Sequence, residues 1–278
     1  MQDLPYYSLK HRDYTIEGYS RGAVQSYWRI PEFHLGFDLG AQPWAFMGTP
    51  NWFISHSHMD HLAAIPQYIT RRRMMKMSPP TIYLPSEAKA PVEQILFQWQ
   101  RLDRGKLPCK LIPIEPNQEI ILSRELIVKT VPTRHTIPSM GFIVYHKKTK
   151  LKTEYLDLSG EQIRDLRLSG VEITNEIRTP LVAYTGDSRP ESLVANPDFF
   201  KAQALIAEMT FVSLEHPLST IHKFGHTDLA DFAALAQSFQ NEVIIASHFS
   251  TRYSERQITA QVSRAFPDML SGRLKLFL

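Results

Sequence analysis

Three histidines and an aspartate fall within six positions, His56-Ser57-His58-Met59-Asp60-His61, directly after the apolar run Trp52-Phe53-Ile54. The chain has 11 histidines in 278 residues, and chance places such a run in roughly one chain per thousand, so it requires a structural cause. At an extended strand end, residues two apart point the same way, so His56 and His58 can converge on one ion. A turn then lets Asp60 and His61 face a second ion. The spacing is that of a strand followed by a loop, unlike the helical pair of a His-Glu-x-x-His site. Imidazole and carboxylate without thiolate suit Zn²⁺, or Mn²⁺ where the carboxylate share is high. The single cysteine, Cys109, excludes an intrachain disulfide and a Cys-rich zinc finger or ribbon.

Two ions need more ligands than this run supplies, so His or Asp is expected at the ends of later strands. His135 follows Val131-Pro-Thr-Arg134, Asp187 follows the run from Leu181 to Tyr184 within Thr185-Gly-Asp187, and His248 follows Val243-Ile-Ile-Ala-Ser247. Taken singly each is an ordinary strand-end residue, and Gly-Asp is a common turn dipeptide. Their joint recurrence after the dense run is the signal.

The rest of the chain is globular in composition, with 43% hydrophobic and 21% charged residues. Its net charge of +3, from 31 basic and 28 acidic side chains, is too small to identify a polyanionic partner by itself. No charged leader followed by an apolar segment opens the chain and no stretch of membrane-spanning length occurs, which predicts a soluble cytoplasmic protein with no membrane partner. Short β-rich runs alternate with amphipathic stretches, which predicts an α/β architecture. Strands are expected at 35–39, 52–55, 81–84, 110–114, 126–131, 141–145, 181–185, 204–208 and 243–247. Helices are expected from Thr227, with that threonine as N-cap, and over 91–102. No internal repeat is evident, and the polar stretch 146–179 is the one candidate insertion in an otherwise undivided domain, 1–278.

The order His-x-His-x-Asp-His, His, Asp, His resembles the metallo-β-lactamase fold, an αββα sandwich with a dinuclear site at one edge of its two sheets. Within that superfamily the chain resembles ribonuclease Z, the tRNA 3′-end endonuclease. Three neighbourhoods carry the match: His135-Thr-Ile-Pro-Ser-Met-Gly141, Tyr184-Thr-Gly-Asp-Ser-Arg-Pro190 and Ser247-His-Phe-Ser-Thr-Arg-Tyr253. The resemblance spans nearly the whole chain and is strongest to the short, plant-type form, with its run Phe53-Ile-Ser-His-Ser-His-Met-Asp-His61 and a lysine-rich stretch ahead of Tyr155-Leu-Asp-Leu-Ser-Gly160. It implies two Zn²⁺ per chain, one held by His56, His58 and His135 and the other by Asp60, His61 and His248, with Asp187 bridging. It also implies catalytic roles for Glu208 and His226, although Ala207 stands where the family has a histidine and Asp228 departs from the second motif. His11, His34, His146, His216 and His222 match no motif and are read as surface or structural residues.

The resemblance further implies a zinc-dependent endoribonuclease that removes the 3′ trailer of precursor tRNA by hydrolysis 3′ of the discriminator nucleotide. Asp60 would order or deprotonate the attacking water, and His226, oriented by Glu208, would protonate the departing 3′ oxygen. Lys147, Lys148, Lys150 and Lys152 would lie on an arm at about 146–160 that grips the tRNA body, a shorter arm than the Gly-Pro-rich one of many bacterial members. A second basic cluster, Arg71, Arg72 and Arg73, is balanced between RNA contact and a solvated face. The family implies a homodimer, and no DNA partner is expected. Two other readings fit the fold: a hydrolase of a small or cyclic phosphodiester, against which the lysine arm speaks, and an inactive RNA-binding scaffold, against which the complete ligand set speaks.

Overall fold

The computed structural model describes residues 3–212, 221 and 223–278, so His216 and His222 lie outside the described residues. Its strands form two seven-stranded sheets built on one plan. In the first, β1 (Tyr7–His11), β2 (Tyr14–Arg21), β3 (Gln25–Ile30) and β4 (Leu35–Leu39) make an antiparallel meander, and β5 (Asn51–Phe53), β6 (Thr81–Pro85) and β7 (Lys110–Ile114) continue it in parallel. The second repeats the pattern. Its β8 (Glu119–Ile121), β9 (Leu126–Thr133), β10 (Ser139–Leu151) and β11 (Thr174–Tyr184) are antiparallel, and β12 (Ala204–Glu208), β13 (Val243–Ser247) and β14 (Leu274–Leu276) are parallel. Parallel neighbours need crossovers, and helices supply most of them.

The sheets face each other across an aromatic layer. Phe37 stacks on Phe142 of the opposite sheet with centroids 5.7 Å apart and on Tyr184 at 5.2 Å. Trp28, Val128, Val182, Ile206 and Ile245 complete this inner core. Outside the first sheet, α2 (Ile65–Met74) and α3 (Ser86–Asp103) bury Tyr68, Ile69, Val92 and Leu96. Outside the second lie α5 (Glu191–Ala195), α6 (Asp198–Lys201), α7 (Leu229–Ala234) and α8 (Glu255–Ala265), which follow α1 (Met59–Leu62), α2, α3 and α4 (Gly160–Leu168) along the chain and bury Leu193, Phe199, Phe232, Ile258 and Val262. The result is an α/β sandwich of αββα layers. Among the described residues, no helix is long and apolar enough to cross a membrane.

Three local expectations change. The helix expected from Thr227 is capped one residue later, because Asp228 accepts from the Ala230 and Asp231 N–H groups while the Thr227 hydroxyl donates to the Ser188 carbonyl. The helix expected over 91–102 begins at Ser86, with Pro91 inside its second turn. The strand expected over 141–145 runs on through the lysine stretch to Leu151, because β11 pairs with it as far as Leu151↔Thr174. β9 stops accompanying β10 at His146↔Leu126, so beyond that point β10 and β11 form a two-stranded ribbon. Helix α4, opened by a Ser159–Gln162 capping box, lies between the two strands in the chain.

Candidate metal centre

The expected ligands meet at one edge of the sandwich because each lies just past a strand. His56 and His58 follow β5, Asp60 and His61 sit on α1, His135 follows β9, Asp187 follows β11, and His248 follows β13. The Met140 N–H donates to the Ser55 carbonyl at 2.9 Å, tying the two sheets together beside the site. Three overlapping ligand-type groups result: His56, His58, His135 and Asp187 in one, Asp60, His61 and His248 in a second, and Asp187, His226 and His248 in a third. Asp187 faces the first two. Its Oδ1 lies 3.4 Å from His61 Nε2 and 3.3 Å from His248 Nε2, and its Oδ2 lies 3.7 Å from His56 Nε2 and 4.0 Å from His135 Nε2.

Hydrogen bonds behind the rings fix which nitrogen faces inward. His61 Nδ1 donates to Asp38 at 2.6 Å, His135 Nδ1 to the Gly225 carbonyl at 2.9 Å, and His56 Nδ1 to the Ser55 hydroxyl at 2.9 Å. The Ser55 hydroxyl accepts that bond because its own proton goes to Asp38 at 2.8 Å. His248 Nδ1 likewise donates to the Thr210 hydroxyl at 2.9 Å, whose proton goes to Glu208. With metal bound, each ring can therefore turn a lone-pair Nε2 toward the cluster; without it, burial of His61 is outweighed by Asp187 and Asp38, which hold the ring well above the ordinary histidine value. His58 Nδ1 lies 3.1 Å from both His56 Nε2 and His135 Nε2. One proton on His58 Nδ1 can serve only one of these two neighbours, so a lone pair is left for a cation, and the buried His248 Nε2, though 3.3 Å from Asp187 Oδ1, makes no hydrogen bond. The donor set thus fits divalent metal, with nitrogen and carboxylate ligands and no sulfur.

Charge follows the same logic. Burial and the neighbouring His61 imidazole hold His56 well below the ordinary histidine value. Burial disfavours the charged form of Asp187, but the His248 and His61 imidazoles hold its carboxyl well below the usual range. Asp60 is lowered in the same way, burial being outweighed by His248 and His61. The Asp60 carboxylate also accepts from the Ala23 N–H at 2.9 Å, from the hairpin turn between β2 and β3.

Beside this cluster, His226 Nδ1 donates to Glu208 Oε2 at 3.0 Å. Burial lowers the His226 imidazole, but the Glu208 carboxylate more than offsets it and pushes the group up to about 9. Neither departure from the family motif touches this pair: Ala207 is buried in the outer core, and Asp228 caps α7. A cleft of about 440 Å³ opens here, lined by His58, His135, His226 and His248.

Asp38 is the main residue that the sequence did not single out. It is fully buried with a left-handed φ of 57°, and it accepts from the Ser55 N–H at 2.7 Å, the Tyr184 hydroxyl at 2.6 Å, the Ser55 hydroxyl and His61. A carboxylate inside the apolar strand Leu35-Gly-Phe-Asp-Leu39 was the available signal.

The lysines lie apart from the metal cluster. Lys147, Lys148 and Lys150 line a separate cleft of about 630 Å³ with Arg124, a cation on the β8–β9 turn that the sequence did not point to. Lys147 is paired with Glu176 at 2.6 Å, Lys148 and Lys150 are exposed, and Lys152 is half-buried. Within the arginine cluster, Arg72 is buried and donates to the Met47 and Ser78 carbonyls, a structural role. Arg71 donates to Gln42 at 2.8 Å, and Arg73 pairs with Asp103 at 3.3 Å. Outside the cluster, His11 pairs with Glu242 at 3.1 Å, the His34 carbonyl accepts from Asn51, and His146 lies 3.8 Å from Glu125.

Fold and site together define a protein of the metallo-β-lactamase fold. The metallo-β-lactamase fold protein YhfI from Bacillus subtilis superposes with a TM-score of 0.60 at 16% identity over 93% of both chains. Human tRNase Z, short form, superposes with a TM-score of 0.53 at 17% identity over 90% of this chain and 94% of the other. In sequence, tRNase Z TRZ1 of Arabidopsis thaliana is 40% identical over 273 residues, 96% of each protein. The chain belongs to the tRNase Z family. No protein-family model matches it.

Proposed function

We propose that this protein is a zinc-dependent endoribonuclease that removes the 3′ trailer of precursor tRNA, cutting 3′ of the discriminator nucleotide. The observation that carries the reading is the meeting of seven ligand-type residues and the His226–Glu208 pair at one sheet edge, in a chain similar over its length to a protein named tRNase Z. His56, His58 and His135 would hold one Zn²⁺ and Asp60, His61 and His248 the other, with Asp187 between them and Mn²⁺ an alternative occupant. When bound, the two ions supply charge that stabilises the phosphoryl transition state and lowers the pKa of an attacking water.

The chain's own groups do the rest. The Asp60 carboxylate, fixed by the Ala23 N–H, orients the attacking water and accepts its proton. His226 stays protonated at neutral pH beside Glu208 and donates its Nε2 proton to the departing 3′ oxygen. Glu208 holds the ring orientation, and Thr210 links that carboxylate to His248. The products are a 3′-hydroxyl on the tRNA and a 5′-phosphate on the trailer. Lys147, Lys148, Lys150 and Lys152, with Arg124, hold the tRNA body on the ribbon, since phosphate contacts supply most of such affinity. The domain is 1–278, with this ribbon as its arm. The protein acts as a cytoplasmic homodimer, and the exposed Ile95, Trp99 and Leu102, on one side of α3, offer an apolar strip for the second copy.

The test is substrate competition. Metal-loaded protein is given precursor tRNA, a cyclic nucleotide and a small chromogenic diester. The proposal expects kcat/KM for the tRNA to exceed the others by orders of magnitude; hydrolysis of the small esters with the tRNA left intact would replace it with the small-phosphodiesterase reading.

A further inference from the structure

The turn leading into His226 carries an aromatic ring that the mechanism above leaves unused. Phe224 is 50% exposed and lines the same cleft as His58, His135, His226 and His248. The turn is held at Phe224, Gly225 and His226. The Phe224 N–H donates to the Ile221 carbonyl at 3.0 Å, the Gly225 carbonyl accepts from His135 Nδ1 at 2.9 Å, and His226 is held by Glu208 at 3.0 Å. Gly225 has φ +76°, and a Cβ there would lie 2.7 Å from His135 Nδ1, so the backbone runs directly against a metal-site histidine. Across the cleft wall, Phe211 meets the His226 ring edge-on at 6.1 Å. The ring of Phe224 is therefore presented from a backbone fixed to the metal centre.

A single exposed aromatic is ordinary on a protein surface. One that shares a cleft with a phosphodiester site will meet nucleobases, whose faces stack on aromatic rings whatever their identity. The chemistry says which base. Cleavage to a 3′-hydroxyl and a 5′-phosphate expels the 3′ oxygen of the nucleotide on the 5′ side of the scissile phosphate, and the group that protonates that oxygen, His226, is two residues from Phe224. We infer that Phe224 is the stacking platform for the base immediately 5′ of the scissile phosphate, a positioning residue that seats the leaving nucleotide under His226. This rests on the tRNA-trailer reading of the site.

The test is a double-mutant cycle on precursor tRNA, with Phe224→Ala on the protein side and an abasic discriminator nucleotide on the RNA side, and metal content measured for each protein. Phe224→Ala should keep its metal and lose about 5- to 100-fold in kcat/KM. The abasic substrate should cost the wild type a similar factor and cost the variant little more. Phe224→Tyr should restore cleavage of the intact substrate, and Phe224→Leu, which keeps bulk without a ring, should not. Wild-type kcat/KM in metal-replete Phe224→Ala, fully independent losses, or coupling to the first trailer base instead would each overturn the inference. Failure of the wild type to cleave any precursor tRNA would overturn the function proposed above, and this inference with it.

Discussion

At the scale of single residues, the site depends on groups that never touch a metal. Asp38 accepts hydrogen bonds that orient His61 directly and His56 through Ser55. Its removal leaves several buried donors without an acceptor. Asp38→Ala should therefore weaken zinc affinity about 10- to 100-fold, as outer-sphere changes typically do, in a chelator competition assay; unchanged affinity would show that packing alone positions the rings. The His226–Glu208 pair gives a second expectation. Its folded value of about 9 lies above the ordinary 6.5, so in metal-free protein the pair stabilises the fold fully below pH 6.5, and that contribution is lost as pH rises through about 9. NMR of the chelated protein should show His226 titrating near 9 in the wild type and at clearly lower pH in Glu208→Gln, where burial and His61 are opposed only by Asp187. The same titration in both proteins would mean Glu208 is not the cause. The seven ligand candidates were legible because strand-end spacing and residue type announce them. Asp38, Ser55 and Thr210 were not, because their role exists only once chain segments far apart in sequence are brought together.

Elements set the geometry that residues exploit. Gly40 directly follows β4, where the Asp60 carbonyl approaches so closely that a Cβ would sit 1.7 Å from it. Gly40→Ala must push α1 away, and elemental analysis should show loss of metal from the site formed by Asp60, His61 and His248; full occupancy would mean the backbone yields elsewhere. The polar stretch was legible as an insertion, but not as a ribbon, because the pairing of β10 with β11 comes from strand register and not from composition. Replacing Lys147, Lys148, Lys150 and Lys152 by Ala should leave small-diester hydrolysis intact and weaken precursor tRNA binding. The slope of log K against log salt should fall by up to ~0.9 per phosphate contact removed. Lys147 should contribute least, being already paired with Glu176. An unchanged slope would return the ribbon to a solvated face.

For the molecule as a whole, the α/β class was legible from alternating runs, whereas the likeness of the two sheets was not. Each passes from an antiparallel meander to parallel strands, yet they share no sequence period. Of the N-terminal meander only β4 was expected, and β1 to β3 escaped notice, although β2 alternates buried and half-buried residues along its whole length. What the double sandwich achieves is a single edge where strand ends of both sheets converge, and there the ligands from β5 and α1 meet those following β9, β11 and β13. On the function proposed above, this edge cuts precursor tRNA at one phosphodiester bond with the 3′ oxygen as leaving group. Mass spectrometry of the products from a precursor tRNA of defined trailer tests it most directly. The expected products are a tRNA ending at the discriminator nucleotide with a 3′-hydroxyl and a trailer beginning with a 5′-phosphate. A 3′-phosphate or cyclic phosphate on the tRNA, or nucleotides released one at a time from the trailer end, would contradict it.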